Sequence, residues 1–398
     1  MKTDLSETSV RTERLAGLKK VLAQAGLSGV LLSQSRDIFY YTGTAQPSYL
    51  LVWPQGCRLF VKSGLELALQ EARIDPAWIE PERRLEVIGD IVRQMVGRAG
   101  ALGLELDVLT ANQFFTMAEV FQGFELKDAS SLILEQRKTK DPLEVEALRR
   151  ACRAIDSGHQ RVRAVLRPGQ TELELAAAIE EAHRLAGHEG TFFMRQPDFF
   201  MSRGLLASGP NLSRFNGMVY SVTGVGLSPA MSIGPSRRRM GPGDLVVIDV
   251  PVMVNGYHAD MTRTYHLGPA SAETRRMFET LEQIFDQVIE GIRPGLTGAE
   301  VYQAALDQAR ELGQEERFLS FGHGQQAQMI GHGVGLEINE PPILSSWDQS
   351  PIGENFVLAV EMHILDPEGR LAKLEDMILI GQDKNEILTT WPRDLFEV

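Results

Sequence analysis

The sequence predicts an α/β protein of two domains, the second built from a duplicated helix–helix–strand unit. Three observations carry this reading. The chain has 398 residues, too many for one ordinary core. Its first third alternates helical periodicity with short apolar runs. A pattern then occurs twice, as LRPGQTELE at 166–174 and IRPGLTGAE at 292–300.

Taken in order, residues 12–26 (TERLAGLKKVLAQAG) place apolar side chains at helical spacing and close on a glycine. SGVLLSQ (28–34), SYLLVWP (48–54) and RLFVKS (58–63) read as strands, with IFYYTGTAQP (38–47) as a turn-rich passage between the first two. The N-terminal domain is expected to end near 130, giving domains 1–131 and 132–398, because LILEQRKTKDP (132–142) is charged and leads into a helix start. There Asp141 caps, Pro142 takes the first helical position and Glu144 completes a capping box. A helix over 142–166 stops at Arg167-Pro168-Gly169, and a second begins at Thr171, with Glu174 three residues on, and runs to about 186.

Each copy of the repeated pattern ends a long helix (142–166 and 271–292), turns at R-P-G and opens the next helix with a T-x-x-E box. Helix pairs are commonly joined this way, so the match alone leaves both chance and duplication open. The segments downstream of the two copies favour duplication. The first copy leads to an apolar strand, 245–254, with Asp249 inside it, and the second to 356–365, with Glu361 inside it. Two half-domains presenting carboxylates on strands would share one centre.

Bulk properties narrow the function. Hydrophobic residues make up 43% and charged residues 23%, an ordinary globular balance. A formal net charge of -13 argues against nucleic acid and anionic membrane as partners. The two cysteines, Cys57 and Cys152, are too few for a disulfide framework or a thiolate zinc site, and they suit a reducing, cytoplasmic compartment. The N-terminal stretch MKTDLSETSVRTERL has no apolar signal core, and no apolar run is long enough to span a membrane.

The residues that could carry chemistry lie in the second domain. Asp249 interrupts LVVIDVPVMV, where an unpaired charge would be costly. Asn255-Gly256 signals a hairpin, and the return strand GYHADMTRTYHL carries Asp260 with Thr262 and Thr264 on one face. Positions 249 and 260 are nearly equidistant from the turn. Two adjacent carboxylates repel unless a cation lies between them; the alternative is pairing with Arg263 or another arginine. Glu361 in FVLAVEMHIL and Glu375 in LAKLEDMILIG repeat the device around a DPEGR turn. His332 lies in the glycine-rich loop MIGHGVGLEINEPP. Four carboxylates and one imidazole favour divalent Mn, Co, Fe or Zn, and two such ions would hold and activate one water.

In combination these motifs resemble the pita-bread metallopeptidase family, which includes methionine aminopeptidase, aminopeptidase P, prolidase and the metal-free creatinase. The carrying features are D-x10-D ending D-M-T-R-T, then G-H-G-V-G, then Glu361 in an apolar strand, then L-E-D before another. Arg11-x-x-x-Leu15 and S-R-D-I-F-Y-Y-T-G at 35–43 resemble the family's creatinase-type N-terminal domain. The resemblance implies a C-terminal pita-bread domain with an internal pseudo-twofold repeat. It implies two divalent ions, with Asp249 and Asp260 on one, His332 and Glu361 mainly on the other, and Asp260 and Glu375 bridging. It also implies a homodimer, and Glu361 as the proton-shuttling carboxylate.

Departures from that pattern bear on the reaction. The family's peptidases have a histidine 17 or 18 residues before the first aspartate; here Met231 and Ser232 stand there. A second histidine, seven residues after the metal histidine, is replaced by Asn339, and the arginine often found two before the last glutamate is Lys373. Asn339 can donate a hydrogen bond but cannot shuttle a proton. His363, on the face of Glu361, or His323 could supply the missing donor. Tyr257, His258 and Arg263 receive no role. The expected function is metal-dependent hydrolysis of a small amide, as by Xaa-Pro dipeptidases or aminopeptidases, on a peptide or other small molecule. The alternatives are a non-peptide hydrolase or lyase, and a non-catalytic metal-binding protein.

Overall fold

The computed structural model describes residues 7–196, 204–214, 216 and 221–398, so residues 1–6 of the polar N-terminal stretch lie outside it. The chain divides into two compact units. One runs to Arg137 and takes in Arg195; the other runs from Lys138 to Met194 and resumes beyond it.

In the first unit the strands are β1 (Gly29–Leu32), β2 (Ser48–Trp53), β3 (Gly56–Val61), β4 (Ile79–Pro81), β5 (Gly100–Leu104) and β6 (Phe124–Asp128), with helices α1 (Glu7–Gln24), α2 (Ser35–Thr42), α3 (Leu65–Glu71), α4 (Leu85–Met95), α5 (Ala111–Val120) and α6 (Ser130–Lys138). The sheet order is β4-β3-β2-β1-β5-β6. The three strands read from sequence are all present. The boundary expected at 131/132 falls inside α6, and the units divide at its C-terminal end.

The passage read as turn-rich is in part helix α2. Its aromatic residues are indifferent helix formers, and burial of Ile38, Tyr40 and Tyr41 supplies what propensity does not. Gly43, at φ 88, ends the helix in the left-handed region. Asp37 in its first turn is fully buried and accepts from Arg137 Nη1 and Arg195 Nη1, each at 2.7 Å. Beside it, Glu105 Oε2 accepts from the backbone N–H of Ser33 (2.5 Å) and Gln34 (2.9 Å).

The second unit contains α7 (Pro142–Val165), α8 (Glu172–Leu185), β7 (Leu205–Ser208), β8 (Leu245–Asp249), β9 (Val252–Val254), β10 (Tyr257–Ala259), β11 (Thr262–His266), α9 (Ala272–Gly291) and α10 (Gly298–Glu311). It continues with β12 (Ser320–Gly322), β13 (Gln325–Gln326), β14 (Met329–Gly333), β15 (Glu340–Ser345), β16 (Val357–Leu365), β17 (Leu371–Leu379), β18 (Glu386–Ile387) and β19 (Phe396–Glu397). The main sheet runs β15-β14-β16-β17-β11-β8-β7, with β18 on β17 and β19 on β11.

Both copies of the repeat behave alike. Thr171 with Glu174, and Thr297 with Glu300, form reciprocal capping boxes after an R-P-G turn. The β16–β17 hairpin buries Leu358, Val360, Met362, Ile364, Leu374 and Ile378 in a core with α9 and α10. Alternation leaves Glu361, His363, Lys373 and Glu375 on the other face. β8 sends Val246 and Ile248 into a core with α7 and α8, which turns Asp249 the opposite way. The antiparallel pairing of β11 with β17 joins the two halves.

Two expected elements differ. The strand read over 245–254 breaks after Asp249, because Pro251 has no N–H to give the ladder. The return strand breaks at Asp260 and Met261, the matching level of the opposite strand. Beyond the break, β9 and β10 close on Asn255 (φ 53) and Gly256 (φ 78), the two left-handed positions of the predicted turn. His332 is on a strand, not in a loop: β14 pairs with both β15 and β16. Gly331 makes that pairing close, since a Cβ there would lie 2.2 Å from the Ala359 carbonyl oxygen. No helix among the described residues is long and apolar enough to cross a membrane.

Candidate metal centre

All five residues singled out from the sequence converge in the second unit. Asp260, His332 and Glu375 bring one ligand atom each within 4.8 Å of one another, and so do Asp249, Glu361 and Glu375. Glu375 is the member common to both groups. Its cross-strand partner on β16 is Glu361, while Thr262 faces both Glu375 and Asp249 across β11. The Thr262 hydroxyl donates to Glu375 Oε2 at 2.7 Å, which fixes the shared carboxylate. Asp260 falls in one group only, so the observed grouping pairs it with His332 and Asp249 with Glu361.

The donor set suits a divalent cation. Asp260 Oδ1 is buried and has no hydrogen-bond partner among the described residues. An ionised oxygen in that state is costly unless a cation satisfies it. Burial, and then the neighbouring Asp249, push the Asp260 carboxyl well above the usual carboxylate range. Burial and Asp260 do the same to Glu375. His332 Nδ1 lies 3.0 Å from the Gly333 carbonyl oxygen, an arrangement that directs Nε2 away from its own backbone.

The other group contains a cation that sequence reading did not assign. Lys373 Nζ lies 2.5 Å from Asp249 Oδ2, 2.6 Å from Glu361 Oε2 and 3.7 Å from Glu375 Oε2. It also donates to Ser221 Oγ at 2.7 Å, and that hydroxyl donates to Glu361 Oε2 at 3.0 Å. Burial raises the Glu361 carboxyl, but the Lys373 charge and His332 outweigh it, so the net shift is downward. Asp249 remains raised, because burial exceeds the help from Lys373. Arginine pairing, the alternative for the two aspartates, is not seen among the described residues. Arg263 instead binds Asp376 at 2.7 Å and the backbone carbonyls of Glu375, Trp391 and Pro392. It pins β17 and the C-terminal segment from behind.

The remaining expected residues lie at different removes. The His363 Nε2–H has an acceptor in the Ser320 carbonyl at 3.1 Å, and the ring packs on Phe321. Burial, then the Lys373 ammonium, lower its pKa to about 4, so the ring is neutral at pH 7. Asn339 is partly buried just before β15. Met231 lines an apolar hollow with Leu173, Ala176, Ile233 and Val250, and the Ser232 carbonyl accepts from Asn216.

Residues 146–382 match Metallopeptidase family M24, and residues 14–139 match the Creatinase/Prolidase N-terminal domain. The chain belongs to metallopeptidase family M24. This M24 chain is 28% identical to the probable dipeptidase PepE of Mycobacterium bovis, over 98% of each chain. It is 26% identical to the Xaa-Pro dipeptidase of Pyrococcus furiosus, over 96% of this chain and 99% of that one. Among solved structures, dipeptidase PepE from Mycobacterium ulcerans superposes with a TM-score of 0.78 at 25% identity, covering 99% of both chains. Xaa-Pro dipeptidase from Bacillus anthracis gives 0.81 at 23%, covering 98% of this chain and 100% of that one, a likeness of fold. The second unit is thus the family's pita-bread domain, and the M24 chain is a metallohydrolase with a site suited to divalent cations.

Among the residues that shape this M24 site, Ser221 gave no signal in the sequence. Lys373 gave one that could have been used: a lysine two residues before Glu375, inside an apolar strand, faces the same way as that glutamate.

Proposed function

We propose that the chain is a metal-dependent hydrolase of short peptides, of the Xaa-Pro dipeptidase type. The supporting observation is the pair of ligand groups sharing Glu375, with a buried Asp260 oxygen that has no other partner among the described residues. Asp260, His332 and Glu375 would hold one divalent ion, Mn, Co, Fe or Zn, and Asp249, Glu361 and Glu375 are the candidates for a second. A bound divalent ion supplies a Lewis acid and acidifies water. Glu361, kept ionised by Lys373 and hydrogen-bonded by Ser221, is the carboxylate that accepts and returns the proton. Asn339 can donate a hydrogen bond to a substrate oxygen. A small peptide as substrate and a homodimer as assembly complete the reading, and two unbonded cysteines support a cytoplasmic setting.

The test is a screen of Xaa-Pro dipeptides, other dipeptides and small amides with MnCl2 or CoCl2 added. Turnover of Xaa-Pro dipeptides that EDTA abolishes and Mn2+ restores is the expected result. A metal-loaded protein that turns over only non-peptide compounds would replace this reading with a second one. That second reading is a metal-dependent hydrolase or lyase of another small molecule, favoured by Met231, Ser232 and Asn339 where the family's peptidases carry histidines.

For His363 the geometry favours holding β12 over carrying a proton. His363→Gln is therefore expected to keep most of the turnover. A fall of about 10^2-fold would return the ring to the proton-carrying role.

A further inference from the structure

We propose that the Lys373 ammonium takes the place of one of the two ions, so that the centre binds a single divalent cation, at Asp260, His332 and Glu375. This rests on the metal-dependent reading above and sets how many ions that reading involves.

The case is geometric. An ammonium has three N–H donors. Those of Lys373 have three acceptors at short range: Asp249 Oδ2 at 2.5 Å, Glu361 Oε2 at 2.6 Å and Ser221 Oγ at 2.7 Å. Two of these oxygens belong to the residues that would ligate a second ion. A cation placed there competes with the ammonium for the same atoms, and the two positive charges repel. The lysine is also held in position. Its backbone N–H donates to Thr264 Oγ1 at 3.0 Å, and that hydroxyl donates to the Lys373 carbonyl at 2.7 Å. Its side chain is 1% exposed, so it has no solvated position to retreat to without moving its strand.

The other group is left whole. Lys373 comes no closer than 3.7 Å to Glu375 and has no ion pair with Asp260 among the described residues. Asp260 Oδ1 still has no hydrogen-bond partner among the described residues. The compact charge of an ammonium fits a tripod of oxygens. A guanidinium spreads its donors over a planar fork and would not. A lysine at this position therefore replaces an ion in a way that an arginine could not.

Metal content and Mn2+ titration calorimetry of the full chain test this directly, with the electron spin resonance of the Mn2+ form as a second readout. Wild type is expected to bind one Mn2+ per chain and give the spectrum of an isolated ion. Lys373→Met, which keeps the aliphatic stem and removes the charge, is expected to bind two and show spin coupling. Two coupled ions in wild type would overturn the inference and leave the metal-dependent function standing. One ion in both proteins would overturn it as well, since the lysine would not be what excludes the second. No binding to wild type at any Mn2+ concentration would sink the metal-dependent reading itself. If Lys373→Met does not fold, Lys373→Gln supplies the same comparison, with two ions expected and one ion overturning the inference, and two coupled ions in wild type overturn it without either variant.

Discussion

Glu375→Ala is expected to remove metal binding and, with it, hydrolysis, lowering turnover of a responsive dipeptide by at least about 10^3-fold. Among the described residues no other candidate ligand belongs to both groups, so neither ion position survives its loss intact. The fold is expected to tolerate the change. Burial and the neighbouring Asp260 hold the Glu375 carboxyl well above its ordinary range even with Lys373 3.7 Å away, so ionised Glu375 is unfavourable without a divalent cation. The metal-free variant should then be no less stable than metal-free wild type, while Mn2+ should stabilise only the wild type. Thr262→Val gives a graded comparison. It removes the hydroxyl that orients Glu375 Oε2 and should cost about 10–100-fold in metal affinity. Calorimetric Mn2+ affinity and thermal unfolding with and without Mn2+ check both. An alanine variant that keeps wild-type affinity would show that Glu375 is not a ligand.

How far the sequence reaches is clear from particular residues. Capping boxes are local, so Thr171 with Glu174 and Thr297 with Glu300 could be read from spacing and appear as read. Carboxylates inside apolar strands stand out because burial makes them expensive, and Asp249, Glu361 and Glu375 were visible for that reason. What stayed hidden depends on pairing between distant segments. Helix α2 exists because the core buries its tyrosines, which no short window reveals. His332 is strand and not loop because Gly331 lets β14 lie against Ala359, a contact set by register. Lys373 was visible as a departure from the family's arginine. Its position among Asp249, Glu361 and Ser221 required three strands and the Ser221 segment to be assembled. A charged residue on a buried strand face can be noticed in sequence, but which opposite charge it meets is a tertiary fact.

The largest stability effect is expected in the first unit. Asp37→Asn should destabilise that unit by about 3–5 kcal/mol at neutral pH. Asp37 is fully buried, and the change leaves the Arg137 and Arg195 guanidiniums facing a neutral amide. The pH dependence arises from two shifts of opposite sign. Burial raises the Asp37 carboxyl, but Arg137, a hydrogen bond from Glu105 and Arg195 outweigh it and lower it from 3.8 to about 2. Its contribution is therefore complete above the ordinary value and is lost as pH falls from there through about 2. Glu105 goes the other way. Burial, then the Asp37 charge, raise it well above 4.5, so the folded unit holds a proton that the unfolded chain releases. Stability from this group is present below 4.5 and declines as pH rises above it. Glu105→Gln keeps a neutral side chain at every pH and should flatten that decline, whereas Asp37→Asn should flatten the acid limb. Denaturant unfolding of both variants from pH 3 to pH 8 separates the two. If Asp37→Asn matches wild type at neutral pH, the buried pair with Arg137 is not what holds α2 in place. If Glu105→Gln is the more costly of the two there, the carboxyl is ionised in the folded unit and the assignment of the proton is reversed.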